Sequence, residues 1–102
     1  MLELRPNCEM CDCDLPANST QARICSYECT FCADCVDTVL RDVCPNCGGG
    51  FVPRPVRPAT AHRDGTGLRH HPAGTKRRNL KWTTADITAF VAKRRHLPPT
   101  ER

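Results

Sequence analysis

The sequence predicts a small metal-stabilised domain with little regular secondary structure, a short hairpin plus one short helix. An extended basic tail and a short C-terminal helix follow it. Three observations carry this reading. Eight of the nine cysteines fall in closely spaced pairs, the apolar residues of the first half are few, and charge divides sharply between the two halves.

The cysteine pairs are Cys8-x2-Cys11, Cys25-x3-Cys29, Cys32-x2-Cys35 and Cys44-x2-Cys47. Two intervening residues let a chain turn so that both sulphurs face one metal, and eight thiolates make two tetrahedral four-cysteine sites. The scattered apolar side chains, among them Leu4, Leu15, Ile24, Phe31, Leu40 and Val43, make a small core. Ordering each residue costs roughly 1.5 kcal/mol, so a domain of this size needs staples. No apolar run near the N-terminus has the length of a signal peptide, and no stretch approaches the ~20 apolar residues of a membrane span. The expected setting is therefore cytoplasmic and without membrane association. Thiols stay reduced there, and an odd count in Cys-x2-Cys spacing reads as metal knuckles rather than disulfides. The expected cofactors are two structural Zn2+ ions.

The net charge of +4 conceals a polarity along the chain. Residues 1–50 carry eight acids and three bases, whereas residues 51–102 carry twelve bases and three acids. Thiolates binding divalent ions make the head more negative still. A reading of nucleic-acid binding from basic charge can therefore apply only to the tail.

In chain order, residues 1–52 form the zinc-binding domain. A short extended lead-in reaches the first knuckle at Cys8, and Pro16, Asn18 and Ser19 mark a loop. Gln21–Cys25 reads as a strand delivering Cys25. After Cys35, Val36, Val39 and Leu40 at i, i+3 and i+4 predict one apolar face of a two-turn helix. Residues 53–81, rich in proline and arginine, read as a flexible linker, mostly disordered when unbound. Residues 82–97 predict a short amphipathic helix, with Thr83 and Asp86 as a capping box, Trp82 stapling onto Ile87, and an Ile87, Phe90, Val91 stripe. Residues 98–102 read as a disordered end.

The spacings allow two ligand pairings. Sequential pairing puts Cys8, Cys11, Cys25 and Cys29 on one metal and Cys32, Cys35, Cys44 and Cys47 on the other. Cross-braced pairing puts Cys8, Cys11, Cys32 and Cys35 in site 1 and Cys25, Cys29, Cys44 and Cys47 in site 2. The order, the spacings and the Cys44-Pro45-x-Cys47 ending resemble a RING finger. That resemblance implies the cross-braced fold, with Cys29 at the position where such domains often have His. Cys13 is left over, a free thiol beside the first knuckle or a substitute for Cys11.

Longer motifs carry a closer resemblance. Met1-Leu2-Glu3-Leu4-Arg5-Pro6-Asn7-Cys8, the run from Ala22 to Cys35, and Cys44-Pro45-Asn46-Cys47-Gly48-Gly49 are similar to the short bacterial proteins grouped as domain of unknown function 1272. The likeness covers roughly residues 1–58, and the helix after Trp82 extends beyond the usual length. It implies a cytoplasmic zinc-binding protein and no activity.

A closed site of four cysteines has no open coordination position for water, and no other catalytic constellation stands out, so the chain reads as non-catalytic. His62, His70, His71 and His96 read as solvated polar residues. The leading expectation is a protein-interaction module, with Met10, Val39, Leu40 and Pro45 where RING ligases grip their conjugating enzymes. Gly48 replaces the basic residue that many active RINGs have after the last ligand, which argues against ubiquitin-ligase activity. The alternative is nucleic-acid binding through Lys76, Arg77, Arg78, Lys81 and Trp82, since clustered charge beside an aromatic suits a stacked base. Thiol or zinc redox sensing is a third reading. No protein partner or oligomeric state follows from the sequence.

Overall fold

Strands β1 (Ala22–Ile24) and β2 (Thr30–Cys32) pair antiparallel, with Ala22 opposite Cys32 and Ile24 opposite Thr30. The computed structural model describes residues 1–102, so the elements on either side of this hairpin are seen as well. Its connection contains the second cysteine pair. Cys25 N–H donates to Cys29 O at 3.2 Å, and Glu28 takes a left-handed φ of 66° to close the turn. A two-residue strand, β3 (Val52–Pro53), adds to the other edge of β1, giving the order β2-β1-β3. Pro53 is tolerated because β3 is an edge strand.

Helix α1 (Ala33–Cys35) leaves β2 directly and continues as a π-helical turn over Val36–Leu40. That turn alters the expected face. Val36 and Leu40 are buried, whereas Val39 is 38% exposed. A π turn closes five residues apart, which aligns positions i and i+4 and rotates i+3 outward. Arg41 and Asp42, both left-handed, end it and return the chain inward at Val43.

The core holds Phe31, Leu40 and Val43, all fully buried, with Leu15, Val36 and six of the cysteines. Phe31 stacks edge-on against Phe51, ring centroids 5.4 Å apart. Helix α2 (Thr84–Arg94) completes that core by inserting Ile87 and Val91. Its capping box forms as expected: Thr83 Oγ1 accepts from Asp86 N–H, and Asp86 accepts from Thr83 N–H.

The tail differs from its expected form. Of residues 53–81, read as a flexible linker, Pro53 belongs to β3, and the rest contain no strand or helix but lie along the head on specific bonds. Arg54 is buried, donating to Arg5 O, Leu15 O and Pro16 O at 2.8–3.1 Å. Arg57 donates to Leu2 O and His71 O, Gly74 N–H to Leu4 O, and Leu80 N–H to Glu9 O. Gly67 has φ 88°, and a side chain there would meet Thr60 O at 2.9 Å, so the return of this loop requires glycine. Proline supplies extension, but acceptor-rich head backbone captures the arginines. Residues 98–102, read as a disordered end, contain a 3₁₀ turn over Pro99–Glu101, and Arg102 donates to Asp42 O and Gly48 O.

Candidate metal centres

The fold gathers the cysteines into two groups. The sulphurs of Cys8, Cys11, Cys13 and Cys32 all lie within 4.8 Å of one another. Cys8, Cys11 and Cys13 come from the loop before the sheet, and Cys32 ends β2. Cys35, one helical turn on from Cys32, stands outside this mutually close set but lines the same cavity as Cys11, Cys13 and Cys32. The second group is Cys25, Cys44 and Cys47, again within 4.8 Å; Cys29, whose carbonyl accepts from Cys25 N–H, lies outside that mutually close set. Cys8 and Cys11 thus lie with Cys32, and Cys25 lies with Cys44.

Each knuckle also points a backbone N–H at a sulphur. Cys11 N–H donates to Cys8 Sγ, Tyr27 N–H to Cys25 Sγ, Cys35 N–H to Cys32 Sγ and Gly49 N–H to Cys47 Sγ, all at 3.4–3.5 Å. Such donors stabilise thiolate and orient it, as outer-shell partners of metal ligands do. A tetrahedral ion with Zn–S bonds of about 2.3 Å needs S···S edges of about 3.8 Å. The Cys11–Cys32 edge is 3.7 Å. A sulphur-only donor set with this spacing fits zinc.

Protonation is unevenly shared. Hydrogen bonds from the Cys29 and Cys44 thiols hold Cys25 down at about 3, against the opposing effect of burial. Cys44 is correspondingly pushed up by its bonds to Cys25 and Cys29. At Cys11 burial pushes upward but is outweighed by the Cys13 N–H and neighbouring thiols, leaving it at about 7. Burial and the Cys11 contact raise Cys13 to about 12. Each group therefore mixes thiolate and thiol, and a metal entering it displaces the remaining protons.

Four buried polar residues around the first knuckle were not legible as site residues. Glu9 accepts from Thr30 N–H at 2.6 Å, Arg5 at 3.0 Å and Asn46 at 3.4 Å, joining the first knuckle to β2 and the last knuckle. Asn7 clips the tail, exchanging bonds with the backbone of Arg78 at 2.8 and 3.2 Å. Thr30 and Arg54 complete the set. Only a charged residue inside a Cys-x2-Cys knuckle hinted at Glu9. Cys13 is likewise placed among the sulphurs, not beside them.

The tail residues considered for nucleic acid are mostly engaged. Arg77 pairs with Asp12 at 3.0 Å and Asp14 at 2.7 Å, and Arg78 pairs with Glu3 at 3.4 Å. Trp82, half exposed, donates its indole N–H to Asn46 Oδ1 at 3.0 Å. Lys76 and Lys81 are exposed.

Fold and sulphur groups define a small cysteine-rich domain with two clusters that could hold metal. The chain belongs to the family described as "Protein of unknown function (DUF1272)", whose match spans residues 1–57. It is 57% identical over 77 residues to an uncharacterized protein of Rhizobium meliloti (strain 1021), covering 76% of this chain and 84% of that relative. No solved structure matches it. No helix is long and apolar enough to cross a membrane. All nine cysteines lie inside the family match, and α2 lies outside it.

Proposed function

We propose that the chain is a non-catalytic interaction module whose head is stapled by two structural Zn2+ ions in a cross-braced, RING-like pairing. Cys8, Cys11, Cys32 and Cys35 are the ligands of site 1, and Cys25, Cys29, Cys44 and Cys47 those of site 2. The grouping of Cys8 and Cys11 with Cys32 supports this pairing over the sequential one. Four thiolates per ion leave no position for a reacting water, so the metal shapes the head rather than performing chemistry.

One observation carries the interaction reading: Ile87 and Val91 of α2 share a single buried cluster with Val36 and Leu40. The head face expected to receive a partner is occupied by an amphipathic helix of the chain itself. Met10 and Phe90 pack at its margin, and Pro45 and Asn46 line an open cavity of about 550 Å3 beside Trp82 and Phe90. Helix-in-groove recognition uses apolar anchors at i and i+4, which Ile87 and Val91 supply. The occupant we assign to this groove is therefore a helix with the chemistry of α2. Ligase activity fits poorly, because Gly48 is left-handed and lies under Arg94 and Phe90, 3.8 Å from where a side chain would begin.

The full chain carrying Ile87→Glu and Val91→Glu should release α2, and a peptide of residues 82–97 should then bind in trans. Saturable shifts of the Leu40 and Val39 methyl signals are the expected result. A folded double variant that ignores the peptide would defeat the reading.

A further inference from the structure

The first sulphur group contains one thiol too many. Cys8, Cys11, Cys13 and Cys32 are the mutually close set, yet Cys35, the knuckle partner of Cys32, lines the same cavity as Cys11, Cys13 and Cys32. Cys13 is not held there by chance packing. Its carbonyl accepts from Cys8 N–H at 2.9 Å, and Asp12 adopts φ 65° with its N–H on Cys8 O, folding residue 13 back over the knuckle. The second group has no such surplus: Cys25, Cys29, Cys44 and Cys47 account for all of its sulphurs.

Zinc accepts four ligands in a structural site, so five sulphurs around one position must compete. Cys8, Cys11 and Cys32 belong to every arrangement, being close to one another and to Cys13, with Cys35 one helical turn beyond Cys32. The contest lies between Cys13, arriving from the loop, and Cys35, arriving from α1. Both line the same open cavity of about 450 Å3, together with Cys11, Cys32 and the carboxylates of Asp14 and Asp34. Either thiol, when displaced, therefore has room and access to solvent.

We propose that site 1 is a five-thiol centre in which Cys13 and Cys35 are interchangeable fourth ligands for a zinc-like ion. Site 2 is a fixed four-thiol centre. This rests on the metal-binding reading above and adds that the two ions differ in kind. One is locked, and the other is held by a set that tolerates the loss of a ligand by oxidation or alkylation.

The test is metal stoichiometry of the full chain by native mass spectrometry, combined with iodoacetamide labelling and peptide mapping. The wild-type chain should hold two zinc ions and leave one alkylatable thiol, found on Cys13 in some molecules and on Cys35 in others. Cys35→Ala and Cys13→Ala should each retain two ions and lose that reactive thiol. The double variant should retain one ion, as should Cys44→Ala, which reports on the site without a spare. Co2+ substitution gives an independent readout, with sulphur-to-metal charge-transfer intensity unchanged in either single variant. If Cys35→Ala falls to one ion while the wild-type chain holds two, Cys13 is a bystander and the proposal is overturned, with the metal reading intact. A wild-type chain that holds no ion and labels on all nine cysteines overturns both.

Discussion

The Glu9 carboxylate accepts the backbone N–H of Thr30 at 2.6 Å, while Glu9 N–H donates to Thr30 O at 3.0 Å. A residue inside the first Cys-x2-Cys knuckle is thereby zipped to strand β2, two positions before Cys32. The same carboxylate reaches Arg5 and Asn46. This one buried side chain fixes the distance between the loop that carries Cys8 and Cys11 and the strand that carries Cys32.

Removing the Glu9 carboxylate should therefore disturb site 1 without touching a ligand. Glu9→Ala leaves the Thr30 N–H without its acceptor, a loss of about 1–3 kcal/mol for a buried donor, and takes from Arg5 one of its two carboxylate partners, Glu3 being the other. Glu9→Gln, which keeps one acceptor, should lose less. Denaturant titration of metal-loaded protein measures both. Equal stability of Glu9→Ala and wild type would show that the bond contributes nothing.

Arg54 is the second buried charge, 4% exposed, and it has no carboxylate partner. It spreads its guanidinium over three carbonyls, and its Nε finds no acceptor. Burial lowers its pKa, in keeping with the absence of a counter-charge. Arg54→Lys cannot span the three acceptors, since a point charge replaces a planar fork. We expect Arg54→Lys to lower stability by about 2 kcal/mol and Arg54→Ala by about 3 kcal/mol, in the range of a broken buried network. Thermal unfolding at fixed zinc concentration should show both losses.

The gathering of the cysteines into two groups could be read from spacing, because closely spaced pairs turn their sulphurs to one side of the chain. The hairpin follows from Cys25 having to meet partners far down the chain, and the α2 capping box follows from Thr83 and Asp86. The exposure of Val39 could not be read. An α-helical period places it inward, but the segment closes as a π turn over Val36–Leu40, which rotates Val39 outward. The course of residues 54–81 was hidden for a different reason. Pro-Arg repeats resemble linker composition, and what fixes them is head backbone carbonyls, which have no sequence signature. Arg54 and Asn7 act on the main chain of distant residues, so only the folded head shows what they hold.

Arg77 tests how firmly the tail is held. Its pairs with Asp12 and Asp14 are exposed, and such pairs are screened by salt. Asn79 first and then Arg77 hold Asp12 below the usual carboxylate range, so this contribution is present above the unfolded-state pKa and fades as pH falls through the folded one. Protection factors at residues 76–79, taken against the intrinsic exchange rate at each pH, should therefore fall in high salt, at acid pH and in Arg77→Ala. The amides of β1 and β2 should not change. If strand protection fell in parallel, the tail would be part of the cooperative core.

Metal removal is the most decisive perturbation under the proposed reading, because six of the cysteines proposed as ligands sit in the central core. Six of the fourteen residues in the central buried cluster are cysteines, so without an ion its middle is a set of crowded thiols and thiolates. The remaining apolar side chains are too few to offset chain entropy in a domain of this size. Structural zinc supplies about 10–16 kcal/mol per site in small zinc domains near neutral pH. A chelator should accordingly abolish the dispersed NMR spectrum of the head, and α2 should fray with it, because Ile87 and Val91 lose the surface they pack on. Two equivalents of zinc should restore both. Lowering the pH should have the same effect, since protons compete with the metal for each thiolate and affinity falls as pH drops. A head that keeps its dispersed spectrum with no metal bound would show that hydrophobic packing alone suffices, and the structural role of the ions would be lost.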